Sequence, residues 1–455
     1  MDYQCHTTNE TIVNGQQLQN MPILPGDMTV PGSNGNSWSF YHKLLSSHLL
    51  AVGSIGSGKT NLLYHIVEQV IKKIDISKDI IIFFDSKGDF FKHFYRPGDY
   101  VVGNSQQYSG YTLSKWNLYE ELNQTGALTR EDTIREVATS LFKKKIDTSK
   151  DPTFANGARD IFVSIIEAQL RNKETNLNNA TLKQKLRGLS DPAAIKKFTS
   201  GYPDLQWINV YMLNEGSATT QSFLSPLWSV VNEVFSAHFA EAGDFSIRKA
   251  IKARSGKSIF LEYDIVNSNL IDTIYTVLLD LASKDALGNT NENHHVYFVL
   301  DEFPLIPKLN YIDNLLNFGR TRGVRVIAGI QNNNQVKNTY GDSLGKSILS
   351  GFSTYAAFHL FDEESRRFIS ERHGTNRKLI QVDYVDAMRN GEQEYERGNV
   401  IEDWDFVKLQ QGQCIISLPD NNPYLFYPTK YPEPQERITI GTTPTPKIQI
   451  KGGNS

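Results

Sequence analysis

Residues Gly53-Ser54-Ile55-Gly56-Ser57-Gly58-Lys59-Thr60 have the types and spacing of a loop that wraps a phosphate chain. The glycines let backbone N–H groups turn inward around β- and γ-phosphates, aided by the positive end of the helix that follows. Lys59 is placed to reach the terminal phosphates, and the Thr60 hydroxyl to ligate Mg2+. The flanks agree: Leu49–Val52 reads as a strand, and Leu62, Leu63, Ile66, Val67, Val70 and Ile71 recur at helical spacing. A Gly-rich turn without a ligand is the alternative, and the strand-loop-helix context argues against it. A look-alike, Ser255-Gly256-Lys257-Ser258, has Ile251 where the first glycine belongs and precedes a strand, so it reads as a turn.

Val296–Leu300 is an apolar run ending on Asp301 and Glu302. At a strand tip beside a phosphate loop, Asp301 would hold Mg2+ through water. Glu302 would orient and polarise the attacking water, which separates hydrolysis from mere binding. That pair argues for an ATPase over a GTPase switch or a small-molecule kinase. Gln331 closes the next strand, Val324–Ile330, where an amide can sense a γ-phosphate or simply end a strand. Before that strand lies Gly319-Arg320-Thr321-Arg322-Gly323. An arginine on this turn can reach the γ-phosphate bound by a neighbouring subunit, a contact contributing roughly 10³–10⁵ in rate; its alternative role is surface solubility. Asp85 and Lys87, in Asp85-Ser86-Lys87-Gly88-Asp89, stand at the site edge or in a plain turn. No Ser/His/Asp or Cys/His nucleophile set and no metal cluster is evident, and His294 and His295 are expected to face solvent.

These residues need a sheet to hold them. The chain has 455 residues, 39% of them hydrophobic and 21% charged, enough for two or three folded domains. Two cysteines, Cys5 and Cys414, exclude a disulfide scaffold and a Cys-rich zinc module and fit a reducing compartment. A net charge of −3 means that basic groups for nucleic acid must be local. Strand-like runs at Leu49–Val52, Asp79–Asp85, Ser258–Tyr263, Val296–Asp301, Val324–Ile330, Thr354–Leu360 and Gln413–Leu418 alternate with helical patterns. They predict an α/β domain with a mainly parallel sheet over residues 46–116 and 249–428. Residues 117–248 predict an all-α insertion, with Thr129 capping one helix and Pro226 in the first turn of another. Residues 1–45 read as a loop-rich lead-in and 429–455 as a flexible tail. No stretch reaches the roughly 18 apolar residues of a membrane span, and the N-terminus lacks a secretory signal, so a cytoplasmic protein without a transmembrane segment of its own is expected.

In this order the pieces resemble the conjugative coupling proteins of type IV secretion, the TraG/TraD kind, within the FtsK/HerA class of ring motors. The matching stretches are HLLAVGSIGSGKT (48–60), FFDSKGDF (83–90), KWNLYEEL (115–122), DPTFANGARDIF (151–162), YFVLDEFPLIPKL (297–309) and FGRTRGVRVIAGIQNNNQVKNTYG (318–341). The resemblance covers about residues 45 to 420. It implies a RecA-like P-loop motor with an all-α domain at a channel entrance, and a homo-hexameric ring that pumps DNA with ATP. It implies Lys59 and Thr60 on phosphate and Mg2+, Asp301 and Glu302 as metal and water residues, Gln331 as sensor and Arg320 as the trans finger. The partners implied are a relaxase or relaxosome, DNA and the channel subunits, at the inner face of the membrane. Family members usually begin with membrane helices, a point at which this sequence departs from the pattern. A DNA-processing or defence motor and an ATP-gated docking receptor are the competing readings. Lys143-Lys144-Lys145 complement a helix dipole. Lys183, Lys185, Arg187, Lys196 and Lys197, and Arg248, Lys249, Lys252, Arg254 and Lys257, are candidates for phosphate contacts.

Overall fold

The computed structural model describes residues 3–7, 10–12, 18–104, 111–123, 130–214, 216–263, 268–380, 394–419 and 422–434. The strands are β1 (Tyr3–Thr7), β2 (Glu10–Ile12), β3 (Gln19–Asn20), β4 (Met28–Pro31), β5 (Ser37–Phe40), β6 (Leu49–Val52), β7 (Ile80–Asp85) and β8 (Tyr100–Val102). They continue with β9 (Ser258–Glu262), β10 (Val296–Leu300), β11 (Val324–Ile330), β12 (Thr354–Ala357), β13 (Thr375–Ile380), β14 (Glu394–Asn399), β15 (Cys414–Ser417) and β16 (Tyr424–Phe426). Ten of them form one sheet in the order β3-β16-β15-β12-β6-β11-β10-β7-β9-β8. From β12 to β8 every pairing is parallel, while β15 and β16 add on antiparallel. A smaller antiparallel sheet has the order β14-β13-β1-β2.

The central strands are buried along their whole length because both faces are covered. Ile81, Phe83, Tyr297, Val299 and Ile327 point to one side and pack with Leu62, Leu63, Ile66 and Val67 of helix α1 (Lys59–Lys73). Ile80, Ile82, Phe84, Phe298 and Val326, one residue out of phase, join the larger core under the helix Ser268–Leu287. Alternation at period two thus gives each strand a helix on either side.

Between β8 and β9 the described elements are helices, apart from a single bridge between Trp116 and Phe245 where the chain leaves and re-enters the sheet domain. Glu121 joins the two crossings. Its buried carboxylate accepts from Trp116 Nε1 at 3.0 Å, Ser246 Oγ at 2.7 Å and the Ile247 and Arg248 N–H groups at 2.8 and 3.2 Å. Burial pushes the carboxyl up to about 7 against these four donors. Leaving such a buried group without its partners costs roughly 1–3 kcal/mol, so this knot holds the insertion to the sheet.

The lead-in is more structured than its Asn, Gly and Pro content suggests. Met28 and Val30 on β4 face Trp38 and Phe40 on the antiparallel β5, and all four are buried. Their period-two spacing was the signal that composition hid. The segment 429–434 is also docked: Asn61 Nδ2 and His65 Nε2 lie 2.9 Å from the Thr429 carbonyl, and Tyr431 packs against Tyr64 and His93. Pro226 lies inside the helix Ala218–Val234, not in its first turn. Ser217 caps that helix by accepting from the Thr220 N–H, so the start is fixed eight residues earlier than the proline implied. Thr129, expected as a cap, lies outside the described residues, as does everything after residue 434.

Candidate active site

β6 stops at Val52, and the chain turns through Gly53–Gly58 before α1 begins at Lys59. Gly58 has φ +110°, and a Cβ there would lie 2.9 Å from the Gly412 Cα. Only glycine meets both demands. The turn Gln410–Gln413 braces the loop from behind: the Gly412 N–H donates to the Ser57 carbonyl at 2.9 Å and Gln411 Nε2 to the Gly56 carbonyl at 3.1 Å.

Lys59 is buried, and its Nζ donates to the loop's own Gly53 and Ser54 carbonyls at 2.7 and 3.1 Å. Burial lowers its pKa, while the charges of Glu302 and Asp301 pull the other way. An anionic phosphate is a stronger acceptor for that ammonium than two neutral carbonyls. The Thr60 hydroxyl donates to the Asp301 carboxylate, 3.0 Å to Oδ1 and 3.3 Å to Oδ2. Asp301 is raised by burial; the Thr60 bond and then the Lys87 charge work against that. Glu302 follows Asp301 and is 8% exposed. Its Oε1 accepts from Gln331 Nε2 at 3.0 Å, which ties the tips of the neighbouring strands β10 and β11 together.

These groups open onto one cleft of about 760 Å³, lined by Lys59, Thr60, Lys87, Glu302, Gln331 and Gln335 with the loop backbone. Thr60 lines it, and the buried Asp301 carboxylate lies directly behind the Thr60 hydroxyl, so two hard oxygen donors stand side by side at its edge. Mg2+ uses one or two such protein ligands, with phosphate and water completing an octahedron, so the residues present fit that ion.

Arg320 stands elsewhere. It precedes β11 whereas Gln331 follows it, and the seven residues of that strand separate them by about 23 Å at roughly 3.3 Å per residue. The Arg320 backbone is pinned: Arg325 Nη1 donates to its carbonyl at 3.3 Å and Asn289 Nδ2 to the Arg322 carbonyl at 2.8 Å. Gly323, at φ +76°, passes so close to the His294 carbonyl that a Cβ would lie 2.1 Å from it. The Arg320 side chain is exposed and lines a second cavity of about 700 Å³ with Lys43, Tyr41 and Ser353. Within one chain it does not meet the phosphate loop.

The turn after β7 divides its two candidates. Asp85 is buried, and its carboxylate caps helix α2 (Asp89–Phe94) by accepting from the Asp89 and Phe91 N–H groups at 3.1 and 2.8 Å. Burial raises it to about 6, and its place is structural. Lys87 faces the cleft. His295, expected to face solvent, is partly buried, with Nδ1 2.8 Å from Asp79 Oδ1. Several basic candidates are already engaged: Arg248 with Asp285, Arg254 with the His294 carbonyl, Lys145 with Glu233 and Lys185 with Glu174. Sequence reasoning missed Gln335, Gln411 and Gly412. The short turn before β15 was the one visible signal for the latter two.

The family described as the type IV secretion-system coupling protein DNA-binding domain matches residues 36–426. The coupling protein TraD of Escherichia coli (strain K12) is 21% identical over 402 residues, 83% of this chain and 52% of TraD. This chain therefore spans about half the length of that relative. Among solved structures, the plasmid coupling protein TrwB in complex with ADP and Mg2+ has a TM-score of 0.70 at 16% identity, covering 96% of each chain. VirB4 of Thermoanaerobacter pseudethanolicus has a TM-score of 0.55 at 11% identity, covering 91% of this chain and 99% of that one. These likenesses show a shared fold, a large mostly parallel sheet with helices on its faces. With phosphate loop, strand-end carboxylates and glutamine all inside the matched span, the chain belongs to the type IV secretion-system coupling protein family.

Proposed function

We propose that this chain is the motor of a conjugative coupling protein: it hydrolyses ATP with Mg2+, moves DNA, and delivers a relaxase-bound substrate to a type IV secretion channel. The observation that carries the reading is the Glu302–Gln331 pair, held 3.0 Å apart in the cleft that also contains Lys59 and Thr60. A binding module needs only the loop. A carboxylate and an amide at the far end of the phosphate chain serve water.

In this reading Lys59 leaves the loop carbonyls for the β- and γ-phosphates. Mg2+, when bound, neutralises phosphate charge, and Thr60 and Asp301 would hold it. Gln331 fixes the Glu302 carboxylate, which orients water and takes its proton. Water oxygen bonds to the γ-phosphorus, and the bond to the bridging oxygen breaks with its electron pair passing to ADP. Arg320, fixed in backbone and free in side chain, serves the active site of the next subunit in a homo-hexamer. Residues 117–248 are proposed as the helical domain at the channel entrance, and 46–116 with 249–428 as the motor. Among the described residues no helix is long and apolar enough to cross a membrane. We place the motor on the cytoplasmic side, held at the membrane by partner proteins.

Steady-state ATP hydrolysis against protein concentration, with and without DNA, tests this. A cooperative, DNA-stimulated rise is expected. Hydrolysis indifferent to DNA in a protein shown by sedimentation to be assembled would instead favour a receptor whose ATP cycle gates docking.

A further inference from the structure

We propose that Lys87 is a second γ-phosphate-binding cation, entering the cleft from β7 opposite the phosphate loop. This rests on the cleft binding a nucleoside triphosphate. The sheet order sets the direction. Gln331, then Asp301 and Glu302, then Lys87 end the successive strands β11, β10 and β7 on one side of β6. A triphosphate threaded through the loop with its γ end at Glu302 therefore points that end toward Lys87, and its base toward β12 and β15.

The turn that carries Lys87 is rigid. Asp85 locks it from within by bonding the Asp89 and Phe91 N–H groups, and Gly88 takes φ +70° to start α2. The side chain is exposed and lines the cleft beside Lys59, Thr60 and Glu302. Among the described residues its ammonium has no carboxylate or carbonyl partner, whereas Lys59 has two carbonyls and the neighbouring Lys92 has Asp89. Its charge is felt both at Lys59 and at Asp301. A cation held on a fixed turn, unpaired, at the γ end of an anion-binding cleft has one evident acceptor: the γ-phosphate oxygens, which ADP lacks.

The test measures binding of a non-hydrolysable ATP analogue and of ADP, each with Mg2+, to the full chain and to Lys87→Gln and Lys87→Arg. Lys87→Gln should weaken the analogue about tenfold, as loss of a charged hydrogen bond does, and leave ADP within about twofold. Lys87→Arg should recover most of the loss. Equal loss for both nucleotides, or loss for neither, overturns the proposal. The parent reading fails separately: the unmodified chain would bind neither nucleotide, or Lys59→Ala would bind the analogue as tightly as the unmodified chain.

Discussion

The two ends of β11 carry opposite kinds of chemistry. At the carboxyl end, polar side chains meet one another across a cleft: Thr60 on Asp301, Gln331 on Glu302, Lys59 on its own loop. Each of those bonds can be exchanged for a bond to a phosphate or a water. At the amino end the polar groups are spent on backbone: His48 on Leu316 and Val326, Arg325 on Arg320 and Val324, Asn289 on Arg322. The Arg320 side chain, by contrast, is exposed and donates no hydrogen bond among the described residues. In the function proposed above, the difference separates a reacting end from a presenting end, built on one strand and held at a fixed distance by it.

The largest effect expected from breaking that division is at Arg320. Arg320→Ala should lower turnover about 10³–10⁵-fold in the assembled protein while leaving nucleotide affinity of the isolated chain unchanged. Loss of affinity in the isolated chain would move Arg320 to the reacting end. Glu302→Gln should lower kcat about 10²–10⁴-fold, the range for a positioned acid–base group, with ATP still bound; full activity would remove the water-activating role. Gln331→Ala, which only frees the Glu302 carboxylate, should cost about tenfold in kcat, in line with one hydrogen bond of roughly 1 kcal/mol or a little more. A loss in Gln331→Ala as large as that in Glu302→Gln would mean that the amide touches the nucleotide itself.

How much of this was legible in the sequence follows from the same division. The reacting end is coded locally. Gly53 to Thr60 must be contiguous to make a phosphate loop, and Asp301, Glu302 and Gln331 terminate short apolar runs whose length and β-branched or aromatic content mark them as buried strands. The presenting end depends on contacts distant in sequence. That His48 sits beneath Val326, or that Arg325 pins the Arg320 carbonyl, has no spacing rule behind it. The same holds for Asp85, whose role was set by which N–H groups α2 turned toward it, and for Arg248 and Arg254, basic residues that pattern alone could not distinguish from phosphate contacts. The lead-in misled for another reason: polar composition was weighed above the alternation of Met28 with Val30 and Trp38 with Phe40.

The smallest effect tests whether the presenting end is as fixed as its bonds indicate. His48 is 1% exposed, with Nδ1 accepting from the Val326 N–H at 3.0 Å, so Nε2 carries the proton and donates to the Leu316 carbonyl at 3.1 Å. Burial, reinforced by the Arg325 charge, pushes its pKa down to about 3. The unfolded chain takes up that proton first, near the ordinary value of about 6.5. The stability that neutral His48 contributes is therefore complete above about pH 6.5 and lost as pH falls toward 3, at about 1.4 kcal/mol per pH unit. At φ +56° and ψ 153° asparagine carries the same kind of backbone strain as the histidine it replaces, and it does not titrate. In urea unfolding at pH 7.5, 5.5 and 4.5, the unmodified chain should be the more stable at the highest pH, and its lead over His48→Asn should shrink at each step down. A lead constant across that range would mean that the ring can protonate in place, and that the amino end of β11 yields as readily as the carboxyl end.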